Sequence, residues 1–147
     1  MYAETLTQPL RLIMYHKSPT SGRTQFLCQP QGVCVIDALP RLAQVLDAGD
    51  VPGEDKVLLH PSPLLQRAAQ WLSISSAELE MDPEFCERVD VAGGPLTVYL
   101  ARFKTIDPPL AAAQHVGGRF IALTEGRHLA PAELELLRRA YRVIMEG

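Results

Sequence analysis

The stretch from Phe26 to Ile36 constrains the fold more than any other part of the chain. Two apolar, β-prone runs flank Gln29-Pro30-Gln31-Gly32, which has the chemistry of a hairpin built on a type I turn followed by a left-handed residue. Proline presets φ at the first central position, and Gly32 accepts positive φ without a Cβ clash. Pairing of Gln29 with Val33 would set Cys28 directly across from Cys34, both on one face.

The rest of the pattern is read around that hairpin. Leu10 to His16 alternates as a strand, with Leu10, Leu12 and Met14 on the core side and Arg11, Tyr15 and Lys17 on the other. Asp37 caps an expected helix from Ala38 to about Ala48, ended by Gly49. Asp50 to Lys56 is a polar turn, and Val57 to Leu59 a short strand. Ser62 caps and Pro63 opens a helix to about Leu72, whose apolar stripe is Leu64, Leu65, Ala68, Ala69 and Leu72. Asp82 and Pro83 open a short helix that carries Cys86. Arg88 to Val91 and Leu96 to Ile106 form a second hairpin about Ala92-Gly93-Gly94-Pro95.

Asp107, Pro108 and Pro109 begin another short helix, which Gly117-Gly118 breaks, and Arg119 to Leu123 is a strand. The chain closes with a helix from Pro131 to Met145, striped by Leu134, Leu137, Tyr141 and Ile144. No repeat and no long linker divides the chain. The fold expected over residues 1–147 is a single α+β domain with a mainly antiparallel sheet and helices packed on one side. The closing helix is expected to cover the Leu10/Leu12/Met14 face.

Composition narrows the function classes. A formal net charge of −3 gives no long-range attraction for polyanions, which argues against nucleic acid or an acidic membrane as the main partner. Neither a secretory leader nor a bilayer-spanning run is visible, so a cytoplasmic protein is expected. Three cysteines make an odd count, unlike a secreted disulfide framework.

Glycine-rich nucleotide loops, a Gly-x-Ser-x-Gly elbow, His-Glu-x-x-His and Cys-x-x-Cys are all missing, so no cofactor or metal is expected. Four constellations remain. Cys28 and Cys34 are a candidate redox pair, with buried structural thiols as the plainer reading. Arg102 and Lys104 share one face of a long strand, and Arg119 and Arg127 bracket the next. Were those strands neighbours, the four would gather into an anion-binding site with His128 nearby. His60 lies near Ser62, but Ser62 is already occupied as a helix cap. The closing helix bears Glu135 and Arg139 at a favourable spacing on an exposed face. The expected function is a binding or accessory module for a protein partner or a small anionic ligand. The alternative is a small enzyme whose acid, base or thiol groups converge only in three dimensions.

Overall fold

The computed structural model describes residues 10–35, 37–40, 42–47, 62–92 and 94–146. Six strands form one curled sheet: β1 Leu10–Lys17, β2 Thr24–Cys28, β3 Gln44–Val45, β4 Leu79–Val91, β5 Gly94–Phe103 and β6 Arg119–Ile121. Among the described residues three α-helices accompany them: α1 Ser62–Leu72, α2 Leu110–His115 and α3 Pro131–Glu146. The strand order is β3-β4-β5-β1-β2-β6.

The sheet is mixed. Neighbouring strands run antiparallel except at its centre, where β1 lies parallel to β5 in the register Leu10 to Thr97. Nor do the helices share one side, because the inner strands bury both faces. Ile13, Phe26, Phe85 and Ile121 pack with Leu136, Leu137, Ala140 and Ile144 of α3. On the other face Leu12, Met14, Leu27 and Phe103 pack with Leu64, Ala68 and Leu72 of α1 and with Ala112 and Ala113 of α2. The closing helix therefore covers the Ile13/Tyr15 face, opposite to expectation. The unbroken apolar run of β1 is the mark of a strand covered on both sides.

Two expected helices are corrected. Among the described residues from Asp37 to Asp47 there is none; Gln44 and Val45 instead pair with Asp90 and Val89. Pro40 lacks a donor and restrains Leu39 to extended geometry, which works against a helix start there. Asp82 to Arg88 is not a helix either but part of β4, and Cys86 lies opposite Tyr99. The expected strand Val57–Leu59 falls outside the described residues.

The first hairpin closes one residue tighter than expected. Gln29 and Gly32 exchange both backbone hydrogen bonds, at 2.8 and 3.0 Å, around Pro30 and Gln31. Beyond Gly32 the chain turns to β1, where Val35 and Leu12 exchange hydrogen bonds at 2.8 and 2.9 Å. The buried stripe of α3 is also rotated from the expected one. Leu137 and Ile144 are buried as expected, but Glu133, Leu136 and Ala140 join them, while Tyr141 is exposed.

Candidate active site

Pro83 sets the geometry of the candidate site. β4 and β5 pair from Leu79 to Met81 and again from Cys86 to Val91, and Asp82–Phe85 bulge out between these stretches. A proline cannot donate to the ladder, so the strand leaves it there. The bulge drops Phe85 into the core. It also brings Asp82 to β1, where its Oδ2 accepts a hydrogen bond from the Tyr15 hydroxyl at 3.1 Å. The backbone N–H of Glu84 donates to Oδ1 of the same carboxylate at 3.3 Å.

Register then carries one row of side chains across five strands. Glu80 is opposite Arg102, Arg102 beside Tyr15, Tyr15 opposite Phe26, and Phe26 opposite Ile121. The row is apolar at the β6 end and charged at the β4 end. There Arg102 Nη2 donates to Glu80 Oε1 at 2.6 Å. This hydrogen bond holds the Glu80 carboxyl below its ordinary range and the Arg102 guanidinium above its own. Burial, reinforced by the Asp82 carboxylate, raises the Tyr15 phenol, so Tyr15 stays a proton donor.

A cleft of about 380 Å³ opens over the charged end, walled by Tyr15, Lys17, Asp82, Glu84, Arg102 and the last turns of α3. It offers two cationic groups to an anion, and beside them a carboxylate oriented by a phenol. Among the described residues no group of three or more His, Cys, Asp or Glu side chains converges to hold a metal ion.

The four expected anion-binding residues divide. Arg102 lies in this cleft, and the positive charge of Lys104, just beyond β5, reaches Glu80. Arg119 opens β6 opposite Cys28, and Arg127 belongs to the 3-10 turn Leu123–His128. The expected gathering rested on β5 and β6 being neighbours, whereas β1 and β2 stand between them. That separation is about 14 Å at ordinary strand spacing.

Cys28 and Cys34 are both buried and unbridged. The Cys28 thiol donates to the Gln29 carbonyl at 3.4 Å and lies 3.9 Å from His128 Nε2. Burial pushes both thiols up, and the nearby Glu133 adds to the effect. A raised thiol is the reverse of an activated nucleophile. His60 lies outside the described residues, and Ser62 is the first residue of α1.

Tyr15, Lys17, Asp82 and Glu84 were not among the expected site residues. The available signal was a proline between two acids in a β-prone run, which marks a bulge as readily as a helix start.

No family model matches the sequence, and no curated protein does. Among solved structures, the Ap4A hydrolase of C. elegans superposes with a TM-score of 0.53 at 18% identity, covering 90% of this chain and 94% of its own. A Nudix hydrolase of M. smegmatis, RenU, gives 0.49 at 15% identity over 93% of this chain and 85% of its own. The fold is therefore shared, end to end, with a hydrolase. That shared fold counts against the expectation of a non-enzymatic accessory module.

Proposed function

We propose that the chain is a small hydrolase that takes a phosphate-bearing nucleotide at the Tyr15–Asp82–Arg102 cleft. The observation that carries this reading is the cleft itself, where cations and a hydrogen-bonded carboxylate face one space beside a buried phenol. The Ap4A hydrolase likeness supports the reaction class. Lys17 and Arg102 bind phosphate oxygens, with Lys104 adding positive charge from the end of β5. Asp82, held by Tyr15, orients a water and takes its proton. The water oxygen bonds to phosphorus as the bridging P–O bond breaks and the leaving phosphate carries away the electron pair. Such catalysis is mostly positioning and charge stabilisation, which suits a site without a strong nucleophile. α1 carries no Asp or Glu, so a carboxylate for this role comes most directly from the β4 bulge.

The test is turnover of Ap4A and of nucleoside triphosphates, with divalent cations added or chelated, followed by product chromatography. Asp82→Asn keeps an acceptor for Tyr15 and should lower kcat by about a hundredfold or more. Lys17→Ala and Arg102→Ala should act mainly on KM. Full activity in Asp82→Asn would move the chemistry elsewhere, and no turnover of any phosphate substrate would reject the reading.

A further inference from the structure

Glu133 is only 3% exposed although it lies in the first turn of α3. Its Oε1 accepts the Val33 N–H at 3.3 Å, and Cys34 lies beside the carboxylate. Gly32 permits this approach. Its φ is +140°, and a Cβ there would overlap the Glu133 carboxylate. The second oxygen, Oε2, is buried and has no hydrogen-bond partner among the described residues. No Lys or Arg among them forms an ion pair with Glu133.

Glu133 is also among the residues lining a cleft of about 190 Å³, with Gly32, His128 and the apolar Pro30, Leu39 and Leu129. That volume equals roughly six waters' share of liquid, too little for a nucleotide but enough for a charged head on a short stem. A buried carboxylate with one unmatched oxygen is costly unless a donor reaches it, and a cationic donor reaches it best.

We propose that this cleft binds a guanidinium or alkylammonium head group, whose N–H donors satisfy Glu133 Oε2 and whose stem lies along Pro30, Leu39 and Leu129. Cys28 and Cys34 from the hairpin and His128 from the turn before α3 are the titratable groups that face Glu133. Of these only His128 can carry positive charge, which competes with the ligand. Burial favours the protonated carboxyl, so binding strengthens as pH rises and Glu133 ionises.

The intact chain is titrated with methylguanidinium and n-butylammonium, reading the Val33 and Cys34 amide shifts by NMR, with N-methylurea and butanol as neutral isosteres. Both cations should give saturable shifts that tighten between about pH 5 and about pH 8, and the isosteres none. Glu133→Gln should weaken binding about ten- to hundredfold. Ala132 also lines the cleft; Ala132→Leu, which narrows it and leaves Glu133 in place, should abolish binding and covers a failure of the first variant to fold. A short arginine-containing peptide that binds more tightly than methylguanidinium identifies a protein segment as the source; equal affinity identifies a free small molecule. Equal response to the isosteres, unchanged binding by folded Glu133→Gln, or no saturable shift overturns the proposal.

Discussion

Ser73 holds a backbone conformation that glycine adopts more easily. Its φ of +60° makes it the non-glycine residue with positive φ among those described. It closes α1: its N–H donates to Gln70 O at 3.1 Å, and that of Ile74 to Ala69 O at 3.0 Å. The Ser73 hydroxyl also meets His115 Nε2 at 3.3 Å, an exposed contact of small worth. Ser73→Gly should therefore stabilise the chain by about 0.5 kcal/mol or more. Urea unfolding would show a higher midpoint at unchanged slope; a lower one would mean that the His115 contact outweighs the strain. Glu133 is the other residue with a measurable signature. Burial raises its folded-state pKa above the ordinary 4.5, so the folded state holds the proton more tightly than the unfolded one. That contribution is complete below the ordinary value and is lost as pH rises through the folded one. Glu133→Gln cannot ionise, so its unfolding midpoint should gain on the parent's as pH rises from about 4 to about 7. A constant difference across that window would show that the carboxyl does not titrate differently on folding.

Arg139 shows what one side chain does between elements. From α3 it donates to Glu135 at 2.9 Å, to Glu87 of β4 at 2.7 Å, and to Leu46 O and Asp47 beyond β3 at 3.1 and 2.6 Å. The side chain is mostly buried, at 19% exposure, as is that of Glu87 at 24%, so this pair is less screened than a surface pair. A lysine cannot reproduce that fork, and Arg139→Lys should lose about 1–2 kcal/mol in denaturant unfolding. An unchanged midpoint would reduce the cluster to surface decoration. The elements themselves were legible where two signals agreed. α1 and α3 had both an opening Ser or Pro and a helical apolar period, and their bounds follow it closely. Single signals misled: Asp37 and the Asp82-Pro83 pair were each read as helix starts. Pro83 interrupts a ladder, and that bulge is what makes the site. The buried face of α3 includes Glu133 and is rotated from the expected stripe.

At the scale of the whole molecule, composition and pattern specify an α+β chain but not who neighbours whom. Alternation in β5 bore on Arg102, which lines the cleft, while Lys104 lies just past the end of that strand. Tyr15 and Asp82 were not visible, because 67 positions separate them and only the sheet order brings them together. The parallel pairing of β1 with β5 leaves no local trace, since it needs no turn between them. The one clue was that Leu12, Ile13 and Met14 are consecutive and apolar; all three are fully buried. A strand of that kind belongs in the middle of a covered sheet.

That central pairing has a consequence for the nascent chain. Thr97, the partner of Leu10, leaves the ribosome about 87 residues later, which takes about 4 to 17 s at ordinary synthesis rates. Through that interval β1 can join β2 but lacks its other neighbour; α1 is made before β5, whereas α3, which covers the Ile13/Tyr15 face, is made only after it. An unpaired strand edge with an uncovered apolar face is what templates aggregation. The order of the strands therefore predicts that the emerging polypeptide is most prone to aggregate before β5 has been made.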